Sequence, residues 1–421
     1  MPTDYQRCTR SKHILLARKH SKSRSNVGIF IINREILLNG NPMLSFTQYL
    51  SEEKKPAAGI QHIEHPSDRS FDNADAAHHA LKTLKGVASG KTPLTRKIDD
   101  KMSFHAIRTP EGKVGVKYKG PGAHYNFSAS DIDRQHGHKP YLVGPLKALH
   151  KHLGKVLPTH AGEYQGGYMS EPHTRETKDG HISHTPNTIE YHTPANSEEG
   201  KKLQRSKVSA TVHTELKGEH KTAHPITDTS HFGSHPDVHM VQHLVAPHER
   251  ELSKEVKSTA EHHLSQAEKL MKDHSYHHLD GHEITARSFI NKTVTSEETP
   301  TVAGYKKHLQ AVHQKMIDAV KTPAAKERKT ATMNATISHV SKNAPHFAQS
   351  FEIHHHLQQA TNHLARGLDS SGGGGFNTRI SGKAAGGEGY VANGLKVVDR
   401  EGFSKANRER SAILRAGKGK K

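Results

Sequence analysis

The sequence predicts an α+β fold in which strand-rich segments stand on either side of a mainly helical block. Short β-prone runs joined by turn residues dominate the chain up to residue 195 and return after residue 371. Between them, residues 196–370 carry apolar side chains at the three- and four-residue spacing of amphipathic helices. We therefore expect strands before and after a helical middle.

The strand-rich first part contains one clear hairpin. Two β-prone runs, residues 103–108 and 114–119, flank a Pro/Gly turn at residues 109–113. Residues 163–169 and 188–192 are predicted as further strands. Helices are predicted from the leucine spacing in residues 142–153 and, more weakly, over residues 62–84, which Gly90 to Pro93 end.

Three helices and a second hairpin are predicted in the later part. The helices cover residues 252–271, 305–320 and 347–364, and their apolar stripes are interpreted as core-facing. A glycine-rich loop follows at residues 370–375. The hairpin pairs residues 388–391 with 395–399 around Asn393-Gly394, the strongest short hairpin signal in the chain.

The composition favours a basic protein with a limited core. Only 32% of the 421 residues are hydrophobic and none is tryptophan, so the core must be thin or divided among small units, in two or three domains. The net charge of +19 favours a polyanionic partner such as nucleic acid, although a solvated basic surface is the simpler alternative.

The single cysteine and the shortness of the apolar runs exclude several classes of protein. Cys8 is the only cysteine, which excludes a disulfide framework and a cysteine-based zinc site and fits a reducing cytoplasm. The apolar run at residues 27–38 is too short for a membrane span and is interrupted by polar residues. We expect no membrane partner.

The 39 histidines are scattered, without one repeating ligand spacing. We interpret them mainly as solvent-facing polar residues, and a histidine-based metal-binding protein is a lesser alternative. Below about pH 6.5 they would begin to charge and make the protein more basic.

Two short stretches carry the residues that imply a reaction. The first is Lys-Ile-Asp-Asp at residues 97–100, and the second is Glu-Gly-Tyr-Val at residues 388–391, followed by Lys396. An amine can attack a nucleoside triphosphate, a carboxylate can hold Mg²⁺, and further lysines can neutralise phosphates. These residues resemble those of a covalent nucleotidyltransferase pocket. The resemblance implies that Lys97 is the candidate nucleophile, Glu388 the candidate metal ligand and Lys396 a phosphate-binding cation.

Lys117 and Lys119 alternate along one predicted strand and therefore point to the same face. They are candidates to bind phosphate or a nucleic-acid backbone.

The order of these motifs resembles the nucleotide pocket of covalent nucleotidyltransferases, which include ATP-dependent DNA ligases, RNA ligases and capping enzymes. The chain is also similar to a family of uncharacterised tailed-bacteriophage proteins with such ligase-like motifs. That likeness covers most of residues 43–192, with marked runs at 131–138, 162–167 and 185–189, and it continues at 289–292, 299–305, 388–391 and 397–404.

The resemblance implies a two-layered, ATP-grasp-like nucleotidyltransferase fold in two parts, residues 43–195 and 371–403, around the helical insertion at 196–370. Residues 1–42 would be a basic arm or an over-extended start, and 404–421 a basic tail. It implies an RNA or DNA ligase-like enzyme of the infected bacterial cytoplasm that uses ATP and Mg²⁺. The residues expected to bind the nucleotide are Asp99, Glu163, Lys117, Lys119 and Lys396.

Two positions depart from the family's pattern. Asp100 stands where the family has glycine beside the nucleophile, and Gly167 stands where the family tends to have an acid that holds ribose in ligases. Glu163 points to the same face as Gly167 and is expected to substitute in part. The alternative function is therefore a non-catalytic nucleic-acid-binding or virion-associated protein on the same fold.

Overall fold

The computed structural model describes residues 63–120, 122–296, 298–371, 377–380, 382–384 and 387–404. These residues form a mixed α+β fold. The predicted arm at residues 1–42, most of the predicted glycine-rich loop and the tail beyond residue 404 lie outside the described residues.

Helices make up the larger share of the regular structure. They are α1 (Ala74–Ala88), α2 (Ala129–His136), α3 (Pro140–His152), α4 (Glu198–Arg205), α5 (Lys254–Lys272), α6 (Glu283–Ser296), α7 (Val302–Asp318), α8 (Pro323–Lys342) and α9 (Ala344–Ser370). Short 3₁₀ turns lie at Ser67–Phe71, Leu153–Lys155, Pro172–Thr174, Pro247–Arg250 and Tyr276–Leu279.

The strands of the described residues form three sheets. They are β1 (Thr95–Arg96), β2 (Met102–Arg108), β3 (Val114–Tyr118), β4 (Gly162–Ser170), β5 (Glu176–Lys178), β6 (His181–His184), β7 (Glu190–Pro194), β8 (Val208–Lys217), β9 (Thr222–Pro225), β10 (Val238–Met240), β11 (Asn377–Ile380), β12 (Lys383–Ala384), β13 (Tyr390–Ala392) and β14 (Leu395–Val397). The sheet orders are β10-β8-β4-β2-β3 with β9 beside β8, β12-β11-β7-β6-β5, and β1-β13-β14.

Both predicted hairpins are present. β2 and β3 pair antiparallel, and Gly112 in their turn has φ +80°, a conformation that glycine adopts without strain. β13 and β14 pair around Asn393 and Gly394, whose φ values of +47° and +78° fit a tight hairpin turn. The turn residues were therefore reliable signals.

The predicted helical block is less purely helical than the sequence suggested. β8 lies within residues 196–370 and pairs along its length with β4, in the middle of the largest sheet. Small and polar residues such as Ser209 and Thr211 are fully buried there, which a search for apolar periodicity overlooks. Helices dominate only from Lys254 onward.

The three predicted helices of that block are confirmed as α5, α7 and α9. The stripe predicted on α5 is buried, including Leu264, Ala267 and Met271. One apolar cluster joins these helices to α1 and to the hairpin strands, through residues such as Leu395 and Val397. The small sheet β1-β13-β14 is thereby fixed against the helices.

The six-stranded sheet has one apolar face and one polar face. Alternate residues such as Phe104 and Tyr164 pack against α3 in a second apolar cluster. The remaining alternate positions form the polar face, which is defined by Ser103, His105, Lys117, Glu163, Gln165 and Gly167. Cross-strand pairs such as Ser103 with Gly167 and His105 with Lys117 place these residues side by side.

No helix among the described residues is both long enough and apolar enough to cross a membrane.

Candidate functional site

Lys97 lies directly after β1, and the hydrogen bonds of the small sheet bring it to the second motif. Arg96 pairs with Tyr390, and the Lys97 N–H donates to the Gly389 carbonyl at 2.8 Å. The Lys97 ammonium forms an ion pair with the Glu388 carboxylate, 291 residues away in the chain. The two predicted motifs therefore meet.

Glu388 is a mostly buried carboxylate, with a side chain that is 17% exposed. Burial raises the pKa of Glu388, the positive charge of Lys97 opposes this rise, and the nearby carboxylates of Asp99 and Asp100 add to it. A site that gathers negative charge in this way favours a cation, which in this structure is Lys97.

Lys396 lies one strand further into the same small sheet. It pairs with Val391, and its N–H donates to the Glu64 carbonyl at 2.9 Å. Burial lowers the pKa of Lys396, as does the charge of Lys97, while Glu388 opposes the shift. Lys396 therefore belongs to the same electrostatic group as the predicted nucleophile.

The edge of the polar face contributes a third lysine. Lys119 follows β3, and its N–H donates to the Ser103 carbonyl at 3.0 Å. Burial lowers the pKa of Lys119, Asp100 opposes this shift, and Lys97 adds to it. Lys97, Lys119, Lys396, Asp100 and Glu388 together define the Lys97 site.

Asp100 carries the feature that the sequence reasoning missed. A Cβ added to Gly167 would lie 2.5 Å from an Asp100 carboxylate oxygen, so Asp100 fills the space that a side chain at residue 167 would take. The Ser103 hydroxyl donates to Asp100 at 2.8 Å, and burial raises the pKa of Asp100. Asp100 and a side chain at residue 167 would therefore compete for one space.

Asp99, which we predicted to bind the nucleotide, is held by hydrogen bonds from the segment before β7. Its carboxylate accepts hydrogen bonds from the Asn187 amide at 2.9 Å and from the N–H groups of Thr188 and Ile189 at 2.6 and 2.8 Å. It is only 3% exposed. Asp99 fixes the segment that carries Lys97 to the segment before β7, which makes it a positioning residue.

Glu163, the other acidic residue predicted to bind the nucleotide, lies some way along β4 from Gly167. It is four residues from Gly167 along β4, roughly 13 Å in an extended strand. Its carboxylate pairs with Lys221 at 2.8 Å and accepts a hydrogen bond from the Tyr125 hydroxyl. Although burial opposes it, hydrogen bonding from His105, Lys221 and Tyr125 lowers the pKa of Glu163 to about 2.

Lys117 belongs with Glu163 rather than with Lys97. Its ammonium lies 3.9 Å from the Glu163 carboxylate and 4.3 Å from the centre of the Tyr125 ring. Lys119 and Lys396 thus lie in the electrostatic group of Lys97, whereas Lys117 and Glu163 are paired with each other.

One further set of side chains resembles a catalytic triad but is buried. The Ser209 hydroxyl and His239 Nδ1 are 2.8 Å apart, and His239 Nε2 lies 3.0 Å from Glu199. Ser209 and His239 are 0% and 1% exposed, so no substrate can reach the hydroxyl. The chain of contacts instead ties α4 to the sheet.

Many histidines are not the solvent-facing residues that we predicted. Several are buried, among them His105, His136, His152, His184, His239, His243, His282, His313 and His354. The histidine cluster, defined as His262, His263, His355, His356 and His363, lies between α5 and α9. Within it, the Nδ1 atoms of His263 and His356 are 3.0 Å apart. No three metal-ligating side chains among the described residues converge on one metal position.

Comparison with known proteins identifies a family without a described activity. No curated protein and no solved structure matches the chain significantly. Residues 60–411 match DUF6267, described as a family of unknown function. This range includes all of the described residues and therefore the whole Lys97 site. The chain therefore belongs to the DUF6267 family.

Proposed function

We propose that this protein is an ATP-dependent nucleotidyltransferase, similar to RNA and DNA ligases, in which Lys97 becomes covalently linked to the nucleotide. The observation that supports it most is the contact between Lys97 and Glu388, which joins the two motifs that such an enzyme requires. A ligase-like, ATP-grasp-like fold is part of this proposal, and the mixed α+β architecture is compatible with it.

The reaction would begin with Lys97 leaving Glu388. Lys97 would lose its proton to solvent, and its neutral Nζ would attack the α-phosphorus. A P–N bond forms, the bond from the α-phosphorus to the bridging oxygen breaks, and pyrophosphate leaves with that electron pair. Lys119 and Lys396 carry the positive charge that such a leaving group requires. The nucleotidyl group would then pass to a polynucleotide end.

Magnesium would bind on the Glu388 side of the site. Mg²⁺ in nucleotide enzymes is commonly held by one or two carboxylates and the substrate phosphates. Glu388, with Asp100 nearby, fits this donor set, since the charge of Asp100 adds to the burial that raises the pKa of Glu388. The ion would neutralise charge at the phosphates.

The test is covalent labelling. The full chain is incubated with α-labelled ATP and Mg²⁺, denatured, and examined for label on the polypeptide. We expect an adduct that Lys97→Ala and Lys97→Arg abolish, because neither variant provides a primary amine at this position. Lys101→Ala, an exposed lysine in the same segment, is the matched control and should keep the label. Labelling that persists in Lys97→Ala contradicts the proposal.

A second candidate is a nucleic-acid-binding or virion-associated protein that lacks the reaction. Asp100 beside Lys97 and the net charge of +19 favour it. It predicts salt-dependent binding to nucleic acid, no nucleotide dependence, and no adduct with any of the four nucleoside triphosphates. For either function, the likeness to tailed-phage proteins supports a role in the cytoplasm of an infected bacterium.

A further inference from the structure

A short segment after β3 extends the polar face with two aromatic rings. Asn126 pairs with Val116 through hydrogen bonds of 2.8 and 3.0 Å, so Tyr125 and Phe127 on either side of it project together. Their ring centres are 6.4 Å apart. With Lys117, which lies over the Tyr125 ring, they define the aromatic shelf.

Phe127 is exposed in a way that large apolar side chains seldom are. It is 43% exposed, and among the described residues only Tyr141 and Ile284 are comparable exposed large hydrophobic residues. The ring lies against Gly115, where an added Cβ would be 2.7 Å from a ring carbon. Glycine at this position lets the ring lie on the strand and leaves the rest of its surface to solvent.

The shelf continues into a row of lysines that leads to Lys97. Lys117 and Lys119 are two residues apart along the edge strand, roughly 7 Å. Lys119 in turn is close enough to Lys97 for their charges to interact. One face of the protein therefore carries an open aromatic ring at one end and the candidate nucleophile at the other. Lys117, which is paired with Glu163, and Lys119 lie between them.

We infer that the aromatic shelf binds single-stranded nucleic acid, with a base stacked on Phe127 and the backbone phosphates along Lys117 and Lys119. Single strands offer unpaired π-faces and phosphates together. A duplex covers its bases, and an acidic peptide offers charge without a planar base. The role of the strand as an acceptor at Lys97 rests on the proposed function, whereas its binding does not.

The test measures binding alone, in the absence of nucleotide. Lys97→Ala protein, which keeps the shelf and cannot be labelled, is titrated against a fluorescent single-stranded oligonucleotide and against the matching duplex. Adding Phe127→Ala should weaken single-strand binding about five- to a hundredfold, as expected for loss of one stacked base. Adding Tyr141→Ala is the matched control: this side chain is 67% exposed, lies on α3, and should leave binding unchanged.

Two further variants separate stacking from unfolding and from charge. Phe127→Tyr retains an aromatic face and should restore single-strand binding if Phe127→Ala acts through stacking. Lys117→Gln should reduce the slope of log affinity against log salt by about 0.7, the value for one phosphate contact on a single strand. Thermal melting of each variant shows whether the fold is intact.

Three results would overturn the inference. They are undiminished single-strand binding in Phe127→Ala, duplex binding as tight as single-strand binding, and displacement of the oligonucleotide by a polyglutamate peptide at equal charge. The last would identify a surface for acidic peptides. The binding experiment contains no nucleoside triphosphate. Its outcome therefore does not depend on whether the wild-type chain can be covalently labelled.

Discussion

The Lys97 site and the histidine cluster collect ionisable groups in opposite ways. In the Lys97 site, three lysines alternate with carboxylates, so each charge has an opposite charge beside it. In the histidine cluster, like groups surround one another. Burial, followed by the neighbouring imidazoles, lowers the pKa of His263 to about 4. The first arrangement places charges of opposite sign side by side, while the second disfavours the charged form of its central imidazole.

The two regions should respond to acid in opposite directions. Burial raises the pKa values of Asp100 and Glu388 in the Lys97 site, so their stabilising contribution is present at low pH and is lost as pH rises through the folded pKa values. The lowered pKa of His263 has the reverse consequence. Burial is the largest cause of the pKa shift in both regions, and the directions differ because carboxyl groups are neutral at low pH whereas imidazoles are neutral at high pH.

Loss of the buried ion pair between Arg400 and Asp68 should have the largest effect on stability. The buried Arg400 follows β14. Its guanidinium donates to the Asp68 carboxylate at 2.8 Å, and its backbone N–H donates to the side-chain oxygen of Asn362 on α9 at 3.2 Å. Arg400→Met would leave Asp68 buried and without this partner, which costs about 3–5 kcal/mol of unfolding free energy. Urea unfolding measures it.

Arg366→Ala is the control for that prediction. Arg366 pairs with Asp399 but is 49% exposed, so its loss should cost about 0–1 kcal/mol. If both variants lost the same free energy of unfolding, burial would not explain a larger contribution from the Arg400–Asp68 pair.

Filling the space beside Asp100 should lower the free energy of unfolding by a smaller amount, and a second substitution should restore it. Gly167→Asp places a side chain where Asp100 already lies, and such overpacking costs about 1–3 kcal/mol. Asp100→Gly in the same chain removes the clash and should recover most of the loss in a double-mutant cycle. Additive losses would contradict the idea that residues 100 and 167 share one space.

The smallest effect is expected from protonation of the histidine cluster. The pKa of His263 is about 4 in the folded chain and about 6.5 when unfolded, so the unfolded chain binds the proton first as pH falls. Its contribution is complete above about pH 6.5 and is lost between there and pH 4. The double variant His263→Asn, His356→Asn should therefore show a flatter fall in Tm over that range. If Tm fell with pH equally steeply in the double variant, the histidine cluster would not be the cause of the loss of stability in acid.

Local signals predicted much of the fold, because turns and periodic spacing depend on neighbours in sequence. Asn393-Gly394 predicted its hairpin, and the stripe on α5 predicted a buried face. β8 was missed because its buried positions include serine and threonine, and because its backbone pairs with β4, which is far away in sequence.

The candidate site was predictable only in part. The meeting of Lys97 with Glu388 follows from two motifs on neighbouring strands, which sequence order can suggest. The alternation along β4 predicted that Glu163 shares a strand face with Gly167, but not that its carboxylate pairs with Lys221. The Asp100 side chain occupies the space beside Gly167, which lies on another element of the fold. This packing depends on both residues together and cannot be read from either position alone.

The contact between Lys97 and Gly389 also sets the order of events during synthesis. At about 5–20 residues per second, a ribosome needs roughly 15–60 s to make the 291 residues that separate Lys97 from Glu388. During that time β1 has no β13 to pair with, and Lys97 has no carboxylate partner from the second motif. A nascent chain can fold its larger sheet and its helices early, but it acquires a complete Lys97 site only when the last strands emerge.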